Sequence, residues 1–240
     1  MAAKPRFSPV THVIFDNDGT LMDSENIFAS AMNNILEKFG YTYTYEMKLK
    51  YMGKPGTEIA KSLIKQLDLP ISKKDFMKLL AVIIKTSAQN VKLMPGVRDL
   101  LLHLHEYRIN MAIATSSSKA TFDIKAKPHC RLMPVFHHVV CGDDPELMRG
   151  RGKPKPDIFF LAASRFNPPP RPENCLVFED SPNGLQAGVA AGMQVVMIPD
   201  PRVPYKLRKG ATQVLDSMAD FDPEDFGLPA YDCCSKFEFG

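Results

Sequence analysis

The chain has 240 residues, with 30 Lys+Arg against 27 Asp+Glu, a formal net charge of +3, 45% hydrophobic and 24% charged residues. That apolar content excludes a disordered chain, and the near balance of charge gives no ground for nucleic acid or an anionic membrane as the main partner. The length suffices for one full core and a smaller second unit.

No apolar run approaches the roughly 20 residues of a membrane span; Val195-Val196-Met197-Ile198 is among the longest. The first nine residues contain Lys4, Arg6 and two prolines but no apolar stretch, so no secretory signal is expected. The cysteines are Cys130, Cys141, Cys175, Cys233 and Cys234. Their number is odd, none form Cys-x-x-Cys, and the first three sit in apolar or strand-like contexts. Free thiols in a reducing compartment, the cytoplasm, are expected.

In chain order, His12-Val13-Ile14-Phe15 is a buried-strand candidate that ends abruptly at Asp16. Residues 25–39 place apolar side chains at 27, 28, 31, 32, 35, 36 and 39, a helical period. Residues 57–67 and 73–88 read the same way, and no convincing strand lies between about Ser24 and Val91. Beyond this block the pattern alternates. Helix is expected over 96–107, strand at Met111-Ala112-Ile113-Ala114, and strand at Val139-Val140-Cys141. Helix is then expected over 156–166, strand at Cys175-Leu176-Val177-Phe178, helix over 182–192, and strand over 194–198. Ser181 is a candidate N-cap and Gly192 a candidate C-terminal glycine.

The strands are apolar throughout rather than alternating, which suits a parallel sheet covered on both faces. The expected fold is α/β, an open parallel sheet with helices on both faces plus an inserted helical cap. Residues 1–23 and 92–232 would form the core, 24–91 the cap and 233–240 a mobile tail.

Ligands of open parallel sheets bind beyond the carboxyl ends of the strands. Those ends carry Asp16 and Asp18, Thr115 and Ser116, then Glu179 and Asp180. In Asp16-Asn17-Asp18-Gly19-Thr20 the two acids, two residues apart, can meet one substrate, one as nucleophile and one as general acid/base. Gly19 permits a tight turn; read alone, Asp-x-Asp-Gly is equally a turn signal. Glu179-Asp180 suits a hard divalent cation such as Mg²⁺, or else an acid pair at a helix N-terminus. Lys153, in Gly152-Lys153-Pro154-Lys155-Pro156-Asp157, is either a fixed ammonium or part of a solvated basic loop. The histidine pairs His103/His105 and His137/His138 each point to different faces and suggest no metal site.

Together the ordered set resembles the haloacid dehalogenase-like hydrolase superfamily. Asp16-Asn17-Asp18-Gly19-Thr20-Leu21 is similar to its first motif, Thr115-Ser116 to its second, Lys153-Pro154 to its third and Glu179-Asp180-Ser181 to its fourth. The resemblance implies Asp16 as nucleophile on phosphorus and Asp18 as the acid/base. It implies Mg²⁺ held by the Asp16 carboxylate, the Asp18 backbone carbonyl and Asp180, with Glu179 assisting. Thr115 would hydrogen-bond the phosphoryl group, with Ser116 nearby on the substrate, and Lys153 would neutralise charge. The block 24–91 is similar to the cap of this superfamily's first cap class; Lys54, between cap helices, either touches a polar leaving group or is a solvent-exposed cap lysine.

Leu93-Met94-Pro95-Gly96, Gly142-Asp143-Asp144-Pro145-Glu146, Ala191-Gly192-Met193-Gln194 and Phe226-Gly227-Leu228-Pro229 resemble the animal pseudouridine-5′-phosphatase group. That implies hydrolysis of pseudouridine 5′-phosphate to pseudouridine and phosphate. The charge balance and the lack of coiled-coil heptads point to a monomer acting on a small phosphate ester, with neither nucleic acid nor membrane as partner. Asn17 and Thr20 depart from the Met and Leu of that group. The cap matches less well than the core, the loop Met148-Arg149-Gly150-Arg151-Gly152 is longer and more basic, and the tail has no counterpart. The competing expectations are a phosphatase for glycerol 3-phosphate or a sugar phosphate, a β-phosphoglucomutase-type phosphomutase, and a non-catalytic phosphometabolite-binding protein.

Overall fold

The apolar strands divide their side chains between two cores. In the computed structural model, which describes residues 5–52, 54–147 and 151–231, β1 (His12–Phe15) sends Val13 and Phe15 to one cluster and Ile14 to the other. The same split recurs in β2 (Asn110–Thr115), with Met111 and Ile113 against Ala112 and Ala114. It recurs again in β4 (Cys175–Glu179), with Leu176 and Phe178 against Cys175 and Val177. A period of two across a sheet with two dry faces thus yields an unbroken apolar run.

With β3 (His138–Cys141), β5 (Gln194–Met197) and β6 (Gln213–Val214), these strands form one sheet in the order β3-β2-β1-β4-β5-β6. Every pairing is parallel, and Val13 lies between Met111 and Leu176. Eight helices are present among the described residues, α1 to α8 in chain order. α5 (Val97–Glu106) and α6 (Lys119–Ala126) cover one face, while α7 (Asp157–Ser164) and α8 (Pro182–Ala190) cover the other. The chain leaves central β1 and β4 toward opposite faces, which opens a crevice at their carboxyl ends.

A third apolar cluster belongs to α1 (Glu25–Leu36), α2 (Tyr45–Tyr51), α3 (Gly56–Gln66) and α4 (Lys73–Ser87). Met32, Ile35, Leu63, Phe76 and Leu80 are buried in it. The chain enters and leaves this block at one place. The Asp23 N–H donates to the Lys92 carbonyl at 2.9 Å, and the Met94 N–H to the Leu21 carbonyl at 3.0 Å.

The expected helix over 25–39 stops at Leu36 and tightens into a 3₁₀ turn over Glu37–Phe39. Ser181 caps α8, its Oγ accepting the Gly184 N–H at 3.0 Å, and Gly192 follows with φ of +72°. Three elements lie outside the sequence expectations: α2, α6 and the two-residue β6. Cys141 and Cys175 are buried free thiols, whereas Cys130, expected in an apolar context, is exposed beyond a one-turn 3₁₀ helix. Cys233-Cys234, the tail and residues 148–150 lie outside the described residues. Among those described, no helix is long and apolar enough to cross a membrane.

Candidate active site

The strand ends place the acids. β1 stops at Phe15, and the Asp16 N–H still donates to the Phe178 carbonyl of β4 at 2.9 Å. The chain then turns back: Gly19 takes φ of +87°, and the Asn17 carbonyl accepts both the Leu21 and Met22 N–H groups. This turn sets Asp16 and Asp18 on the wall of one cavity of about 190 Å³. Thr115 ends β2 and Asp180 follows β4, and both line the same cavity with Ser116.

Behind Asp16 stands Lys153, with none of its side chain exposed. Its Nζ donates to Asp16 Oδ1 at 2.5 Å, to Glu179 Oε1 at 2.6 Å and to the Ala114 carbonyl at 2.9 Å. All three ammonium protons are therefore used. The other Glu179 oxygen accepts the Ser181 N–H and hydroxyl at 3.2 and 3.0 Å. Gly184 makes room for this carboxylate, because a Cβ there would fall 1.8 Å from Glu179 Oε1. Lys153 and Glu179 thus form a floor beneath Asp16 and are not part of the cavity wall.

Asp18 has its own set of donors. Lys125 and Ser24 both contact Oδ1, while the Ser117 and Thr115 hydroxyls donate to Oδ2 at 2.8 and 3.4 Å. Lys125, Ser117 and Ser24 are absent from the sequence expectations. Lys54 lines the same cavity, its Nζ 3.6 Å from Glu58 Oε1.

The two aspartates respond oppositely to these surroundings. Burial pushes Asp16 up to about 8; Lys153 opposes the shift, and Glu179 and Asp18 add to it. Burial also acts against the Asp18 carboxylate, but the charge of Lys125 and hydrogen bonds from Lys125, Ser24 and Ser117 outweigh it and hold Asp18 at about 2. For Lys153 burial opposes the charged form, and the adjoining Asp16 and Glu179 overcome it, so its pKa is raised.

Four carboxylates, of Asp16, Asp18, Glu179 and Asp180, share the site with two ammonium groups, of Lys125 and Lys153. Asp16, Glu179 and Asp180 each offer an oxygen, and these atoms lie within 4.8 Å of one another. These hard carboxylate oxygens match a divalent cation of the Mg²⁺ kind.

Residues 13–198 match the family described as haloacid dehalogenase-like hydrolase. The chain belongs to this family. The hydrolase is 45% identical over 223 residues to a Drosophila melanogaster protein named probable pseudouridine-5′-phosphatase, covering 92% of this chain and 96% of the relative. It is 40% identical over 225 residues to (DL)-glycerol-3-phosphatase 1, mitochondrial, of Arabidopsis thaliana, covering 92% of this chain and 75% of that one. Among solved structures, it is similar to CbbY from Rhodobacter sphaeroides in complex with phosphate, with a TM-score of 0.76 and 25% identity, covering 88% of this chain and 96% of that one. This hydrolase is accordingly a phosphatase of the family, a phosphoric monoester hydrolase.

Proposed function

We propose that this hydrolase is a Mg²⁺-dependent phosphatase converting pseudouridine 5′-phosphate to pseudouridine and phosphate through an aspartyl-phosphate on Asp16. The observation that carries the reading is the lining of the cavity. Asp16, Asp18 and Asp180 share it with Phe28, Tyr43 and Tyr51. A ring system attached to the leaving oxygen can lie against these aromatic faces. The likeness to the fly protein supports the same substrate. The likeness to the Arabidopsis glycerol-3-phosphatase supports the second reading, a smaller polyol phosphate.

The chemistry follows from the residues. The Asp16 carboxylate attacks phosphorus as the ester oxygen departs, and Asp18 relays to that oxygen the proton that a phosphate monoanion carries into the site. Asp18 then takes a proton from water, which attacks the phosphoryl group and returns Asp16 as a carboxylate. Thr115 and Ser116 hydrogen-bond the phosphoryl oxygens. Lys153 holds Asp16 in place and offsets its charge as a second anion approaches. Mg²⁺ would be held by the carboxylates of Asp16 and Asp180 and the Asp18 carbonyl, with Glu179 alongside; when bound it offsets charge between carboxylate and phosphate. Residues 24–91 act as the cap over a core of 1–23 and 92–232, with Lys54 facing the leaving group. The protein is read as a cytoplasmic monomer.

The test is phosphate release with Mg²⁺ from pseudouridine 5′-phosphate, uridine 5′-phosphate, glycerol 3-phosphate and glucose phosphates, with Asp16→Asn as control. The highest kcat/KM is expected for pseudouridine 5′-phosphate. A preference for glycerol 3-phosphate would select the second reading.

A further inference from the structure

Helix α6 carries a lysine that the reaction above does not use. Lys125 is 5% exposed. Its Nζ contacts Asp18 Oδ1 and donates to Ser117 Oγ at 2.9 Å, and Ser117 donates to Asp18 Oδ2 at 2.8 Å. A hydroxyl has one proton to give. The order is therefore fixed: ammonium to hydroxyl, hydroxyl to carboxylate. Both oxygens of Asp18 are gripped by the segment that follows β2.

That segment is itself held firmly. Phe122 and Ala126 of α6 are buried in the sheet cluster, while Ile124 packs against the cluster of α1 to α4. Ser118 caps the helix by accepting the Thr121 N–H at 3.3 Å. The ammonium is thus placed by two apolar clusters at once. A buried ammonium is costly without a partner, and its partners here are Asp18 and Ser117.

We propose that Lys125 is a positioning residue that fixes the Asp18 carboxylate for relaying the proton of the phosphate monoanion to the leaving oxygen. This rests on the acid/base role given to Asp18 above. An alkoxide leaves poorly without a proton, whereas p-nitrophenolate leaves without one. Loss of Lys125 therefore acts selectively on alkyl esters, while a merely structural role lowers both substrates alike.

The experiment compares Lys125→Met with the parent protein on an alkyl phosphate and on p-nitrophenyl phosphate, alongside a crystal structure of the variant. kcat/KM on the alkyl ester is expected to fall by on the order of 100-fold, as for loss of a positioned acid, and by far less on p-nitrophenyl phosphate. Asp18→Asn added to Lys125→Met is expected to cost little more on the alkyl ester. The structure is expected to show Asp18 rotated away. If Lys125→Met does not fold, Ser117→Ala tests the same grip and is expected to show the same ester selectivity, more weakly. Equal losses on both esters, additive losses in the double variant, or an unmoved Asp18 carboxylate overturns the proposal. Absence of turnover by the parent protein would instead defeat the phosphatase reading, and the position of Asp18 in the variant would still decide the role of Lys125.

Discussion

Lys153 Nζ and Glu179 Oε1 stand 2.6 Å apart with neither side chain exposed. Asp16 shares the same ammonium at 2.5 Å. Removing the lysine leaves two buried carboxylates facing each other. Lys153→Met is expected to destabilise the protein by about 3–5 kcal/mol, the usual cost of breaking a buried pair, and to abolish turnover. Urea unfolding at neutral pH measures the first effect and phosphate release the second.

Stability in acid is expected to follow Asp18. Its folded pKa, about 2, lies below the ordinary 3.8. A depressed carboxylate stabilises the fold above its unfolded pKa, and that stability disappears as pH falls through the folded pKa. Between about pH 5 and pH 2, on the order of 2 kcal/mol should be lost through this group. Asp18→Asn should flatten that part of a plot of unfolding free energy against pH.

Asp16 works in the opposite direction. Burial raises it from 3.8 to about 8, so without a further cation the fold is weakened as pH climbs through this window. A divalent cation on the acid cluster favours the ionised form. Mg²⁺ is expected to raise the melting temperature at pH 8, by an amount equivalent to about 2.7 kcal/mol at 100 times its dissociation constant. Asp180→Asn should remove most of the shift. Thermal melts in EDTA and in Mg²⁺ provide the measurement.

Asn17 is fully buried, and neither Nδ2 nor Oδ1 has a hydrogen-bond partner among the described residues. A buried polar group without a partner costs about 1–3 kcal/mol. Asn17→Leu keeps the number and branching of side-chain heavy atoms and removes that cost. It is expected to stabilise the protein by a similar amount, seen as a higher urea midpoint with an unchanged slope.

The strands are legible in the sequence because both faces of the sheet are dry, and the runs of β1, β2 and β4 break sharply at a charged or hydroxyl residue. Asp16, Thr115 and Glu179 mark those breaks, so the edge that gathers the acids can be read before any coordinates. The helices α1, α3 and α4 follow from their apolar period. α2 is seven residues long with Tyr51 as its only buried side chain, too little for a periodic signal. In α6, Lys119–Ala126, the buried set is Phe122, Lys125 and Ala126, so an ammonium takes an inward position that periodicity assigns to an apolar residue. Lys125 and Lys119 look alike in sequence, but Lys119 is exposed on the same helix and paired with Asp123. What separates them is the distance from α6 to the β1 turn, which no local pattern encodes. Ser24 and Ser117 are hidden for the same reason.

The paired crossing at Asp23–Lys92 and Leu21–Met94 has an architectural consequence. The chain passes between the sheet and the four-helix block through one two-stranded doorway, separate from the β1–β2 register. The block is therefore a cassette in its connections. Another helical insert spliced at the same two points would leave the strand order intact, but it would have to supply again the hydroxyl of Ser24 on Asp18 and the apolar seat of Ile124.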